Sequence, residues 1–187
     1  HRNSAFYNIR QRAQDTRTNP MNTYQTAFIL DFILPYLGWC FDKKDTFYMS
    51  DHEFRASIKD AVKTSESLFL KCQGNPFLDF DYSNTLLERT INSLLYDEKD
   101  IDTDSIVDCI HGYLGIVYKY KTNEGNYSER IRYSFAHHQF RDYFSAIWET
   151  QLLRALECIS SEQFILGDCE SNSFNYFLNS FYWSTYK

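Results

Sequence analysis

The sequence predicts a mainly α-helical chain that carries one β-hairpin. Apolar residues recur at helical spacing over much of its length. Glycine and proline are scarce, at six and three among 187 residues, which disfavours both disorder and a loop-rich β fold. Two short runs rich in β-branched and aromatic residues, 115–120 and 131–135, flank a polar segment that contains glycine, which is the pattern of a hairpin.

Two long helices are predicted in the first half of the chain. From residue 24 to residue 41 apolar side chains cover nearly every side, which indicates a helix that is buried around most of its circumference. Pro35 predicts a kink or an interruption in it, because the ring removes a hydrogen-bond donor. Ser50 and Glu53 have the spacing of a capping box, so a second helix is expected to start there and to run to about Phe69.

The strongest chain punctuation is Gly74-Asn75-Pro76, where we place a subdomain boundary. Two short helices are predicted beyond it. The first is marked by Leu87, Ile91, Leu94 and Leu95, and the second by Ile106, Val107, Ile110 and Leu114.

The order of these elements predicts three parts. Residues 1–74 form a helical subdomain. Residues 75–136 contain two helices and then the hairpin, which is the order that a winged-helix domain requires. Residues 137–187 form a linking helix and the start of a further helical region. The apolar stripe of the linking helix consists of Phe140, Tyr143, Phe144, Ile147 and Trp148.

Charge and cysteine content restrict the function. The net charge of −6 disfavours a surface that binds nucleic acid mainly through its phosphates. The five cysteines are odd in number and form no C-x-x-C pair, which predicts reduced thiols in a cytoplasmic protein. The most apolar stretch, 27–41, is too short to span a bilayer, so no membrane partner is expected.

Residues 133–146, YSFAHHQFRDYFSA, resemble the end of the winged-helix domain in NACHT-type signal-transduction ATPases, the STAND or NLR-like class. His138 stands where the family usually has glutamine, and Ser145 stands where it usually has alanine; His137 matches the family histidine. A looser similarity, over 28–39 and 47–54, is to the helical stretch that bacterial members place before the winged helix. Together the two similarities cover roughly residues 25–150.

The resemblance implies a regulatory role. Such proteins hold ADP in a closed monomer, exchange it for ATP with magnesium when a ligand is sensed, and oligomerise to activate an effector, in antiphage defence among other settings. The implied partners are an N-terminal P-loop NTPase domain, further copies of the protein, and a protein or ligand sensed by the C-terminal region. By this resemblance His137 would approach the ADP phosphates, with Phe135, Phe140 and Tyr143 fixing its position.

Catalysis and independent cofactor binding are not expected of this chain. It contains no G-x-x-x-x-G-K-[ST] loop, so ATP hydrolysis is assigned to a domain ahead of His1. The first methionine, Met21, agrees with a segment cut from a longer protein. Cys109 and His111 are two positions apart in one helix and do not face each other. His137 and His138 are adjacent with no evident third ligand, so no metal is assigned.

Other interpretations stay open at this stage. From the residues alone, a helix cap or a subdomain seam is the favoured role of His137 and His138, although a helix start beside an imidazole could also hold an anion. A winged helix can bind DNA, but residues 97–108, which precede and begin the candidate recognition helix, carry six acidic residues against Lys99. Nucleic acid is therefore an unlikely partner. A nucleotide-independent protein-docking scaffold is the third interpretation.

Overall fold

The computed structural model describes residue 19 and residues 21–71, 89–96, 100–123 and 129–166. Within them the chain is mainly helical and carries a small three-stranded antiparallel sheet, which confirms the predicted class and its hairpin. The predicted boundary at 74–76 and the aromatic stretch after residue 166 lie outside the described residues. The division into 1–74, 75–136 and 137–187 stays a prediction.

Helix α1 changes its hydrogen-bonding pattern just before a proline. It is α-helical over Thr23–Phe28, π-helical over Ile29–Ile33, and α-helical again over Leu34–Lys43. Pro35 accounts for the π turn, because its ring has no N–H to donate and crowds the preceding turn of a regular helix. The interruption predicted at Pro35 is therefore a wider turn within a continuous helix.

Strand β1 (Met49–Ser50) leads directly into helix α2 (Asp51–Lys71). The predicted capping box is confirmed: the Glu53 N–H donates to Ser50 Oγ at 3.3 Å, and the Ser50 N–H donates to Glu53 Oε2 at 3.0 Å. These bonds satisfy backbone donors that a helix start otherwise leaves without partners.

A small two-stranded ladder replaces part of the first short helix. Residues 89–92 are helical, but the following residues enter β2 (Leu95–Tyr96), which pairs with β3 (Asp100–Ile101). The prediction that Leu95 belongs to the helix was wrong. A short apolar run fits both a helix and a strand, and here pairing with Ile101 decides between them.

The second short helix and the hairpin follow in the predicted order. Helix α3 is α-helical over Thr103–Asp108 and π-helical over Cys109–Tyr113. Strands β4 (Val117–Asn123) and β5 (Glu129–Phe135) then form the hairpin. Strand β1 pairs with the other edge of β5, so the strand order is β1-β5-β4. This third strand was not predicted, because two residues carry no readable alternation.

Helix α4 (His138–Leu166) packs along α1 and closes the core. One buried cluster joins residues on both sides of the predicted boundary, from Met21 to Val62 and from Ile91 to Phe144. The hairpin and the first two helices therefore share a core in the described part of the chain.

Helices α1 and α4 meet closely at Gly38. A Cβ atom on Gly38 would lie 2.8 Å from Phe144 Cβ, 2.8 Å from the Ser145 backbone N and 2.9 Å from the Arg141 carbonyl O. Two of these atoms belong to the backbone of α4, which cannot move aside without displacing the helix. Glycine is therefore required at this crossing for steric reasons.

Gly38→Ala tests the close approach of α1 and α4. We expect it to lower the free energy of unfolding by about 1–3 kcal/mol, because the added methyl group forces the helices apart. Gly112→Ala is the matched control, since no atom lies within 4 Å of a Cβ at Gly112. Relief of backbone entropy should leave this control unchanged or stabilise it by about 0.5–1 kcal/mol. Equal urea midpoints for the two variants would contradict the packing described here.

Gln151 of α4 supplies a donor at the turn where Pro35 has none. In a regular α-helix the N–H of residue 35 would bond to the carbonyl of residue 31. Proline lacks that N–H. Gln151 Nε2 donates to the Asp31 carbonyl O at 2.8 Å. The side chain of α4 therefore stabilises the irregular turn of α1 as well as packing against it.

A double-mutant cycle over Pro35 and Gln151 tests this compensation. Gln151→Leu should lower the free energy of unfolding by about 1 kcal/mol, because the Asp31 carbonyl loses the hydrogen bond from Gln151. The same substitution should cost less in a Pro35→Ala background, where the backbone supplies an N–H. Gln139→Leu, at an exposed position of the same helix, is the control. Additive changes in urea unfolding would show that the two residues are not coupled.

Candidate functional site at the β5–α4 junction

The link between β5 and α4 consists of Ala136 and His137, and hydrogen bonds hold it at both ends. The Ala136 N–H donates to the Ile116 carbonyl O at 2.8 Å, which ties the link to the segment before β4. The Phe140 N–H donates to the His137 carbonyl O at 3.0 Å, which closes the first turn of α4. The path of the backbone through His137 is therefore defined by its neighbours on both sides.

Phe135 anchors the junction in the core. Its side chain is 9 % exposed, and its ring packs edge-on against Phe41 of α1 with the centroids 5.2 Å apart. The ring of Phe144 lies 6.2 Å away on the α4 side. Because α1 and α4 both contact the ring of Phe135, a movement of either helix would displace the end of β5.

His137 itself is exposed to solvent. Its ring centroid lies 5.7 Å from that of Phe140, which is half-buried and packs against the core. Tyr143 is 42 % exposed and lies edge-on to Phe144 at 5.4 Å. Phe140 therefore contacts the ring of His137 directly. Tyr143 instead packs on Phe144, which is a core residue of the same helix. The role of His137 stays a prediction.

One turn after His137, Arg141 of α4 contacts both an acidic neighbour and an exposed aromatic ring. Arg141 Nη2 is 2.8 Å from Asp142 Oδ1, so these neighbours form an ion pair. The Arg141 guanidinium carbon lies 5.4 Å from the ring centroid of Phe47, whose side chain is 70 % exposed. The contact between Phe47 and Arg141 was not predicted from the sequence, because Phe47 follows a polar turn and belongs to no periodic pattern.

The junction offers a hydrogen-bond donor next to a helix start. The first N–H groups of α4 and its dipole favour an anion close to His137, and the exposed imidazole can donate to the same anion. Within the described residues no three His, Cys, Asp or Glu side chains are placed to hold a metal ion. The helix start and the exposed imidazole together favour contact with an anion.

Cys109 and His111 occupy separate environments, as expected from their spacing. Burial raises the pKa of the Cys109 thiol to about 12, so it stays protonated at neutral pH and is a poor nucleophile. His111 Nδ1 lies 3.0 Å from the Val117 carbonyl O, which ties α3 to β4. Both residues stabilise the fold around the hairpin.

A second polar cluster, which the sequence did not predict, joins α2 to β5 and α3. The Tyr133 hydroxyl donates to Asp51 Oδ1 at 2.9 Å. Arg55 Nε lies 3.0 Å from Asp51 Oδ2, and Arg55 Nη1 lies 2.7 Å from Asp104 Oδ1. Burial and the neighbouring carboxylate raise the pKa of Tyr133 to about 12, so the hydroxyl remains a donor. The helical spacing of Asp51 and Arg55 was readable from the sequence, whereas their contact with Tyr133 was not.

Comparison of the chain with protein-family models, curated proteins and solved structures finds no match. Among the described helices, none combines the length and the apolar character needed to cross a membrane.

The start of α2 provides a test by pH. Hydrogen bonds from the Ser50 N–H and hydroxyl, and then Lys44 at 3.2 Å, lower the pKa of Glu53 from 4.5 to about 2. A carboxyl group whose pKa is lower in the folded state stabilises the fold at every pH above its pKa in the unfolded state. This contribution is lost as the pH falls from about 4.5 towards 2.

Glu53→Gln should therefore reduce the loss of stability between about pH 5.5 and about pH 3, because the variant has no carboxylate to protonate at this position. Urea unfolding at the two pH values measures this difference. Glu149→Gln, at an exposed position of α4, is the control and should retain the wild-type acid dependence. The same acid dependence in Glu53→Gln and in the wild type would contradict the assignment.

Proposed function

We propose that this chain is the winged-helix regulatory segment of a NACHT-type signalling ATPase. It would couple the ADP or ATP state of a P-loop domain to oligomerisation and effector activation. The observation that supports this most is the position of His137: it is exposed at the link between the last strand of the sheet and a long helix. The resemblance assigns the ADP-contacting histidine to that link.

The order of elements is a second support. Helix α3 followed by the β4–β5 hairpin is the order that a winged-helix domain requires, and β1 adds a third strand from ahead of residue 75. The proposed domain therefore takes in β1 and α2 as well, because β1 pairs with β5 and Phe54 of α2 stacks on Tyr133 of β5. The order of elements supports the proposed fold only. The proposed function rests on the site at His137.

The described residues fit one part of a nucleotide site. His137 can donate a hydrogen bond to a phosphate oxygen, and the start of α4 favours the same negative charge. The cradle for the phosphates and the ligands for magnesium would come from the P-loop domain, which would also supply hydrolysis. The role of this chain is then to recognise ADP and to hold the closed state.

Coupling to the rest of the chain follows from the packing beneath the junction. Phe135 contacts Phe41 of α1. One turn before Phe41 in α1, Gly38 lies directly against the backbone of α4. Loss of the phosphate contact at His137 would release the start of α4. Since α1 and α4 cannot slide independently at Gly38, such a change would move the two helices together.

His137→Ala in the full-length parent protein tests the proposal. The variant should retain less ADP after purification and form more oligomer without ligand, because a charge-assisted hydrogen bond typically contributes about 1.5–3 kcal/mol, or roughly 10- to 100-fold in affinity. Bound nucleotide is measured by chromatography of the denatured protein, and the oligomer by light scattering.

His138→Ala is the matched control, since His138 is also exposed but does not match the family histidine. Wild-type ADP content in His137→Ala, or an equal loss in both variants, would count against the proposal. So would a coding frame ahead of His1 that contains no strand, phosphate-binding loop and helix. A nucleotide-independent docking role would then be the better interpretation.

A further inference from the structure

The outer face of the three-stranded sheet carries a set of exposed tyrosines with an arginine between them. Tyr133 of β5 is fully buried, so its neighbours Arg132 and Ser134 point to the opposite face. The register places Tyr120 directly across from Arg132 and Tyr118 directly across from Ser134. Residues in register lie on the same face of a sheet, so both tyrosines share the face of Arg132.

Tyr48 adds a third aromatic ring from the β1 side. The Arg132 guanidinium carbon lies 4.2 Å from the Tyr48 ring centroid. Arg132 therefore lies between Tyr48 on one side and Tyr120 on the other. The exposed fractions of the three tyrosine side chains are 47 % for Tyr48, 54 % for Tyr118 and 36 % for Tyr120. We call Tyr48, Tyr118, Tyr120 and Arg132 the tyrosine face.

Positive charge is concentrated around this face although the chain as a whole is acidic. The segment 117–135 contains four cationic residues and two glutamates, in a chain of net charge −6. Its cationic residues are Lys119, Lys121, Arg130 and Arg132. Arg130 and Arg132 share the face of the tyrosines, whereas Lys119 and Lys121 alternate with the tyrosines along β4 and lie on the opposite face. The local charge is thus opposite to that of the chain and complementary to an anionic partner.

The composition of the tyrosine face distinguishes between anionic partners. Its rings are aromatic and its other side chains are polar or cationic, without the aliphatic surface that an apolar protein interface buries. Tyr118 and Tyr120 are two positions apart on one strand, or about 6.8 Å. Aromatic rings at such a spacing can stack on successive unpaired bases, while arginine and lysine contact phosphates. Bases in a duplex are stacked on each other and offer no free face.

We propose that the tyrosine face binds single-stranded nucleic acid, with Tyr118 and Tyr120 stacking on bases and Arg130 and Arg132 contacting the backbone. This goes beyond the proposed regulatory function and does not depend on it. It also differs from duplex recognition by α3, which the acidic residues of that helix disfavour.

Fluorescence anisotropy of the whole chain with labelled oligonucleotides tests the proposal. Probes are a short oligouridylate, the matching oligothymidylate, and a duplex of the same length, all at low salt. We expect the single strands to bind more tightly than the duplex. Tyr118→Ala and Tyr120→Ala should each weaken binding roughly 5- to 100-fold, because stacking is lost. Tyr118→Phe should bind like the wild type, because the ring remains.

Tyr24→Ala is the matched control, since Tyr24 is 51 % exposed but lies on α1, outside the sheet. Photo-cross-linking of the wild type to an oligonucleotide that contains 5-iodouracil provides a measurement that needs no variant. The cross-links should map to Tyr118, Tyr120 or Tyr48. A preference for oligouridylate or oligothymidylate would identify the natural source as RNA or DNA.

Four outcomes of the nucleic-acid experiments would overturn the proposal. They are no binding of either single strand, equal binding of the duplex, cross-links confined to residues outside the tyrosine face, and loss of binding in Arg130→Ala but not in the tyrosine variants. The last would indicate charge attraction alone. Tyrosine-dependent binding of an acidic peptide or of anionic vesicles at equal strength would also overturn it, because the face would then recognise negative charge and not bases.

Discussion

The steric contact at Gly38 is the constraint on which the rest of the described structure depends. A methyl group there would come within 2.9 Å of the Arg141 carbonyl O, so the first turns of α4 lie directly against the backbone of α1. The junction at His137 is one turn earlier on the same helix. The position of the junction therefore depends on the close contact between Gly38 and the backbone of α4. A buried core alone would hold the helices together, but it would not fix their separation this closely.

Side-chain hydrogen bonds then fix the orientation of what the core holds together. Gln151 donates to the π turn of α1, and the Tyr133 hydroxyl donates to Asp51 at the start of α2. Each bond joins elements that are far apart in the sequence, and each uses a backbone or carboxylate acceptor with a defined direction. These two bonds tie β5 to α2 and α4 to α1, while the link between β5 and α4 stays exposed to solvent. His137 is therefore exposed, while the strand before it and the helix after it pack into the core.

The sequence predicted those features that depend on local periodicity, and it missed those that depend on distant contacts. The start of α2, the hairpin and the long α4 were readable, because capping spacing and apolar repeats are properties of neighbouring residues. Strand β1 was missed because it exists only through pairing with β5. The need for glycine at Gly38 depends on α4, more than 100 residues later in the chain. His137 was chosen from a family resemblance, and periodicity alone could not have separated it from His138.

Charge shows why a whole-chain property is a poor guide to one surface. The acidic residues around the start of α3 argue against duplex binding, yet two of them pair with cations of α2: Lys59 Nζ lies 2.7 Å from Asp100 Oδ1, and Arg55 Nη1 lies 2.7 Å from Asp104 Oδ1. Exposed pairs of this kind contribute only about 0–1 kcal/mol each, but they partly neutralise the acidic residues where they stand. Arg130 and Arg132 of the hairpin are separated from them in the sequence and share a face of the sheet with exposed tyrosines. Since screening in physiological salt limits charge effects to about 8 Å, a ligand at the sheet responds mainly to the hairpin and much less to the net charge of the chain.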